Sequence, residues 1–382
     1  MKITIVLGAF FPVPPVMGGG VEKVWFTLAP EFARRGHEVV LISRKMPELP
    51  SEEMIAGVKH LRVRGFDMPR SLVWLKFLDL LYSFNTMSVL PEADILVTNT
   101  FWLPILARDS RRGNIYVQVA RYPKGQMRFY RRAARLQAPS HAVARAIAAE
   151  APALAKKTAV IPNPVPRSTI DKPPSIAERE KIILFVGRVH PEKGVHVLVE
   201  AFASGARTVF ADWKLMIVGP TEEKFGGGGD SYLASLKGFA GKADGKVTFA
   251  GAVFDPAALE QTFRRARLFI YPSLADRGES FGLAPLEAMT HGCAVIVSNL
   301  DCFRDFIQER ETGFIFDHHA KSASEALREK IANVIVDETL LDSVAEAGYR
   351  KSAEYSVARV ADQFLNDFNS LISNSDVART NR

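Results

Sequence analysis

Short β-branched runs alternate with stretches of helical period along nearly the whole chain. In the first half, residues 3–8, 38–43, 58–63, 94–98, 115–119 and 158–161 read as strands. Between the first two, Val21, Trp25, Leu28 and Phe32 recur at helical spacing, and Gly36 supplies the stop. The alternation pauses at Pro162-Asn163-Pro164-Val165-Pro166 and at Pro173-Pro174, then restarts with strands predicted over 182–186, 214–218, 247–249, 268–271 and 294–298. Strands alternating with helices fold as parallel sheets with crossover helices, so the fold class is α/β with two doubly wound, Rossmann-like domains. The first is expected over 1–165, a linker over 166–180, and the second over 181–356. Val357, Val360, Phe364, Phe368 and Leu371 mark one apolar face of a last helix, about 357–373, expected to pack back on the first domain. Residues beyond about 374 read as a polar tail. The apolar stretch 72–84 reads as a helix buried in the first domain, with an apolar membrane contact through Trp74 as the second reading. Ligands of such sheets bind outside the carboxyl ends of the strands, so the site is expected in a crevice drawing residues from both halves.

Composition narrows this picture. The 382 residues are 47% hydrophobic and 24% charged, which suits folded domains and excludes a disordered or fibrous chain. Cys293 and Cys302 stand in no CxxC spacing, so neither a disulfide framework nor a thiolate zinc site is indicated, and a reducing cytoplasm fits. The apolar start runs directly into a Gly-rich turn and reads as a first strand, not a secretory signal. No apolar run reaches the roughly 18 residues of a membrane span.

Net charge is +7, and its distribution matters more than its size. Between residues 110 and 149 there are nine basic residues and no acid. Among them Arg121, Lys124, Arg128, Arg131 and Arg132 form a candidate acceptor or membrane patch. Met127, Phe129 and Tyr130 interleave with it, as in an amphipathic helix on an anionic membrane surface. A solvated basic face is the other reading. No nucleic-acid module accompanies the patch, so nucleic acid is not an expected partner.

The densest chemistry lies at Glu279-Ser-Phe-Gly-Leu-Ala-Pro-Leu-Glu287, two carboxylates with seven residues between them. A helix is expected to start near Phe281, with Pro285 and Glu287 in its first turn and Gly292 beyond its end. Its amides donate to ligand oxygens and the carboxylates accept from hydroxyls, which suits a polyhydroxylated ligand. Gly18-Gly19-Gly20, between the first strand and first helix, lets backbone approach a phosphate or a sugar closely. Gly226 to Gly229 reads as a mobile loop. No two aspartates stand two apart, so an Asp-x-Asp metal site is unsupported. Asp317-His318-His319 reads as a solvated loop, because neighbouring side chains on a strand point to opposite faces. No metal or other cofactor is expected.

The Glu279 to Glu287 segment resembles the Glu-x7-Glu signature of retaining glycosyltransferases of family 4 (GT4), which have the two-domain GT-B fold. Phe185-Val-Gly-Arg188, Pro191-Glu-Lys193-Gly194, Ile217-Val-Gly219, Phe249-Ala-Gly251 and Thr312-Gly313-Phe314 match the same family in order and spacing. The resemblance implies that Arg188 and Lys193 bind the diphosphate of a nucleotide-sugar donor, UDP- or GDP-linked. It also implies that Glu287 holds the ribose hydroxyls and Glu279 the donor sugar, aided by the Phe281, Gly282 and Leu283 amides and by Gly19 and Gly20. Fixed cations suit a leaving diphosphate that gains charge. In that reading Arg188, Lys193 and Glu279 carry catalysis, and a glycan or lipid-linked acceptor of surface polysaccharide assembly receives the hexose. The chain departs from many relatives after the 115–119 strand, where Ala120-Arg121-Tyr122-Pro123-Lys124 contains no histidine. Other readings are a hydrolase or phosphorylase on the same fold, or a membrane or nucleic-acid binding protein with a vestigial site.

Overall fold

The β-branched runs pair into two separate sheets. A computed structural model of the chain describes residues 1–166 and 173–380, with side chains described up to residue 373. The strands are β1 (Lys2–Val6), β2 (Glu38–Arg44), β3 (Glu52–Ile55), β4 (Val58–Val63), β5 (Ile95–Thr98), β6 (Asn114–Gln118), β7 (Arg135–Ala138) and β8 (Thr158–Val160) in one half. In the other they are β9 (Glu180–Val186), β10 (Lys214–Val218), β11 (Val247–Gly251), β12 (Ala266–Tyr271), β13 (Ala294–Ser298) and β14 (Phe314–Phe316). The first sheet runs β3-β4-β2-β1-β5-β6-β7-β8 and the second β11-β10-β9-β12-β13-β14. Every pairing is parallel except β3 with β4. The chain divides into two compact units, 1–164 with 355–382 and 165–354. Part of the expected linker, residues 167–172, lies outside the described residues.

The C-terminal helix Val357–Thr380 belongs to the first unit because its apolar stripe completes that unit's core. Phe364 packs on the rings of Trp25, Phe32 and Tyr116, and Phe368 on those of Phe32 and Tyr116. Polar contacts fix its register: Arg135 pairs with Asp367 at 2.6 Å, and the Tyr116 hydroxyl donates to the same carboxylate at 2.9 Å. Residues 374–380, read from the sequence as a polar tail, continue this helix.

One helix is packed the other way round from its expectation. In Leu72–Met87 the fully buried positions are Asp79, Tyr82, Ser83 and Thr86, spaced as one helical stripe. Leu75, Leu78 and Met87 are partly buried against the core. Leu72, Val73 and Trp74 face solvent at 76%, 78% and 58% exposure, with Phe77 and Phe84 also exposed. The reason is Asp79, whose Oδ2 accepts the amides of Phe101 and Trp102 at 3.0 and 3.2 Å and so turns the polar stripe inward. Burial pushes the Asp79 carboxyl up from 3.8 to about 6, against the pull of those two amides. A group with its folded pKa raised stabilises the fold fully below its unfolded pKa and loses that contribution as pH rises through the folded value. The shift from 3.8 to about 6 corresponds to about 3 kcal/mol. Asp79→Asn is therefore expected to flatten the fall in stability of the first unit between pH 4 and 7. Urea unfolding of both proteins across that range checks this, and parallel profiles would contradict it.

Candidate active site

The second sheet changes direction at its centre: from β9 the chain winds outward through β10 and β11, then crosses back to β12 on the other side. The loops leaving the carboxyl ends of β9 and β12 therefore flank a topological switch point, where α/β sheets bind ligands. Lys193 follows β9 in the short turn Pro191–Lys193, and Glu279 follows β12 in the loop that runs to the helix Leu283–Thr290.

These two residues meet. Lys193 Nζ lies 2.7 Å from Glu279 Oε2, with side chains 10% and 11% exposed. The Ser273 hydroxyl also reaches Glu279 Oε2, at 3.3 Å, and the Lys193 ammonium stands 5.6 Å from the centre of the Tyr271 ring. Backbone geometry holds the lysine there. Gly194 is left-handed at φ 66°, and a Cβ on it would lie 1.9 Å from the Pro272 carbonyl oxygen. Only glycine lets the β9 loop approach the β12 loop this closely.

Arg188 is half-exposed and forms a second ion pair, Nη2 to Glu192 Oε1 at 2.5 Å, while its Nη1 donates to the Gly226 carbonyl at 2.9 Å. Burial pushes the Glu192 carboxyl up, but Arg188 and Lys193 overcome this and hold it below the usual carboxylate range. Glu192 was not singled out by sequence reasoning. Arg188 and Glu192 lie in the loop after β9 and its 3-10 turn and not on one helix, so helical spacing gave no signal for their pairing. The Gly226 to Gly229 segment, expected as a mobile loop, is pinned instead: the Gly227 and Gly229 amides donate to the Glu222 and Thr221 carbonyls.

The helix after Glu279 starts at Leu283, two residues later than expected. Glu287, its fifth residue, is half-buried in the second turn and not in the expected first. Gly282 is the N-cap at φ 89°, with no side chain capping the helix, and a Cβ there would meet the Phe303 ring at 2.3 Å. Phe281 is buried and packs on Phe306, which fixes the backbone at the helix mouth. Gly292, at φ 72°, closes the helix as expected.

In the first unit, Gly18 and Gly19 are left-handed, and Gly20 opens the helix Gly20–Arg34 with no side-chain cap. A buried acid that sequence reasoning missed sits over this turn: a Cβ on Gly19 would lie 2.2 Å from Glu22 Oε2. Burial pushes the Glu22 carboxyl up, against its own backbone amide and the charge of Arg121. A carboxylate beside the glycines favours a hydroxyl-bearing ligand over a phosphate. Arg121 is exposed and within electrostatic reach of Glu22.

The expected basic amphipathic helix is absent. Residues 127–129 form one short 3-10 turn, with Met127 and Tyr130 buried and Phe129 exposed. Glu150 causes this by accepting the amides of Gly125 and Met127, both at 2.7 Å, which ties the loop down. The basic stretch 110–149 is also partly neutralised from outside, Arg111 by Asp109 and Arg135 by Asp367. Lys124, Arg128, Arg131 and Arg132 remain exposed.

The expected loop at 317–319 is present, with Asp317 and His319 exposed, but His318 is not solvated. His318 and His319 lie in a turn, not on a strand, and both ring Nε2 atoms reach Asp276. His318 is buried.

The family model described as Glycosyl transferases group 1 matches residues 166–351, and that described as Glycosyltransferase Family 4 matches 18–169. Among curated proteins, the phosphatidyl-myo-inositol mannosyltransferase of Mycobacterium leprae is 30% identical over 56% of this chain and 54% of its own length. The lipopolysaccharide core biosynthesis mannosyltransferase of Rhizobium leguminosarum is 30% identical over 50% of this chain and 51% of its own. The matched stretch thus spans about half the length of these relatives. Among solved structures, sucrose-phosphate synthase of Thermosynechococcus elongatus superposes with a TM-score of 0.76 over 98% of this chain and 100% of its own, at 18% identity. Its likeness establishes the fold, GT-B.

Proposed function

This chain belongs to the group 1 glycosyltransferases, and on that premise we propose that it moves a hexose from a nucleoside diphosphate sugar to a hydroxyl of a glycan or lipid-linked acceptor, with retention at the anomeric carbon. The observation that carries the reading is the Lys193–Glu279 ion pair at the switch point of the second sheet, with Arg188 held beside it through Glu192. When the diphosphate arrives, it exchanges places with the two carboxylates as partner of the two cations. Lys193 and Arg188 then stabilise the charge that grows on the leaving phosphate. Glu279, released from Lys193, accepts from hydroxyls of the donor sugar, and Glu287 from those of the ribose. Transfer needs no metal in this account, because the two cations do the neutralising. The leaving phosphate takes the acceptor proton. The names of the mannosyltransferase relatives favour a lipid-linked acceptor and a role in surface polysaccharide or lipopolysaccharide assembly. Incubation with UDP-, GDP- and ADP-hexoses tests the reading. The expected result is nucleoside diphosphate release and a product whose anomeric configuration, read by NMR, is that of the donor. An inverted product would contradict the mechanism.

The same reading places the enzyme peripherally on an anionic membrane. Among the described residues no helix is long and apolar enough to cross one. The exposed face of Leu72–Met87 supports surface attachment, and it is continuous with the basic turn. Trp74 packs on Phe77, Lys76 lies over the Phe101 ring, Phe101 packs on Phe129, and Arg128 lies over Phe129. Aromatic side chains bordered by arginine and lysine suit the headgroup boundary of anionic lipids.

A further inference from the structure

Asp276, His318 and His319 bring three metal-binding groups together outside the donor-site residues. Asp276 Oδ1 lies 3.1 Å from His318 Nε2 and 3.3 Å from His319 Nε2, and the three ligand atoms are all within 4.8 Å of one another. Donors bound at about 2.1 Å in a tetrahedron stand about 3.4 Å apart. The two carboxylate-to-imidazole separations therefore already match edges of one such face. The turn after β14 makes this possible: the Asp317 carboxylate accepts the His319 amide at 2.9 Å, and the two imidazoles lie together with ring centres 3.9 Å apart. His318 is anchored in the interior beside Phe316, at 2% side-chain exposure, while Asp276 and His319 are open at 55% and 64%. A buried ligand fixes the position, and the open side admits water as a fourth ligand.

We infer that Asp276, His318 and His319 bind one divalent transition-metal ion, with zinc favoured by two imidazoles and a carboxylate in tetrahedral array. Its role follows from where the ligands sit. Asp276 is three residues before Glu279 in the β12 loop, and the histidines follow β14, so the ion ties the loop bearing Glu279 to the far edge of the sheet. The site is structural and takes no part in the transfer step. It does not depend on the proposed activity, because its readouts are metal content and loop order.

Titration of the metal-stripped full chain with Co²⁺ tests the inference. The expected result is the intense visible absorption of a four-coordinate site, saturating at one ion per chain and displaced by Zn²⁺. Zn²⁺ should also raise the melting midpoint and slow amide exchange in the segment 275–279. His319→Ala, which alters an exposed side chain, is expected to fold normally and bind Co²⁺ more than about 100-fold more weakly. Asp276→Asn should behave likewise. Only the weak absorption of six-coordinate Co²⁺ with the wild type, or equal uptake by wild type and His319→Ala, would overturn the site. Normal binding with unchanged exchange at 275–279 would overturn its tethering role.

Discussion

Lys193→Ala is expected to lower kcat/KM for hexose transfer by about 10²- to 10³-fold, the loss typical of removing one preorganised stabiliser of developing negative charge. The site leaves this charge little alternative. Arg188 is half-exposed and already shared between Glu192 and the Gly226 carbonyl, whereas Lys193 is nearly buried and aimed across the switch point. The substitution also removes the cation paired with the buried Glu279 carboxylate, which leaves that carboxylate to neutral partners, the Ser273 and Tyr271 hydroxyls. Breaking one side of a buried pair typically costs about 3–5 kcal/mol, so lost activity alone would not separate catalysis from folding. The double variant Lys193→Ala with Glu279→Gln separates them. It removes the stranded charge, so thermal stability is expected to return toward wild type while transfer does not. A folded Lys193→Ala enzyme with near-normal turnover would contradict the role assigned to this residue.

The second large effect is on membrane attachment. Trp74→Ser with Phe77→Ser is expected to weaken binding to anionic vesicles on the order of 100-fold, since each large apolar side chain contributes on the order of 1.5 kcal/mol when it leaves water. Both side chains are exposed at 58% and 46%, so the substitutions remove apolar surface without opening the core. Charge reversal at Arg128, Arg131 and Arg132 should weaken binding as well, and that part should shrink as salt rises. Co-sedimentation measures both. Binding unaffected by the helix substitutions would exclude the Leu72–Met87 face as the docking surface.

That face shows where sequence reasoning reached its limit. Most of the parallel strands were legible because β-branched runs indicate burial on both faces. β3, reading Glu52-Glu53-Met54-Ile55, was not legible, because it is a short antiparallel edge strand and half polar. β7, Arg135–Ala138, lacks β-branched residues altogether. In Leu72–Met87 the apolar residues run around the whole helix, so its period could not say which stripe turns inward. The decision belongs to Asp79 and the amides of Phe101 and Trp102, more than twenty residues away. In the candidate site, Arg188, Lys193, Glu279 and Glu287 stood out by residue type and spacing. The pairing of Arg188 with Glu192 and of Lys193 with Glu279 was hidden, because residue type and spacing assign both cations to a ligand alone. Consecutive histidines were read as diverging on a strand, whereas the Asp317 turn directs both onto Asp276.

The central claim is that Arg188 and Lys193 exchange their carboxylate partners for a diphosphate. Calorimetric titration of the full chain with UDP and GDP, against the corresponding monophosphates, tests it most directly. The expected result is saturable binding of at least one diphosphate, at least tenfold tighter than its monophosphate, with that advantage lost in Lys193→Ala. Equal affinity for diphosphate and monophosphate, or no binding of either nucleotide, would contradict it.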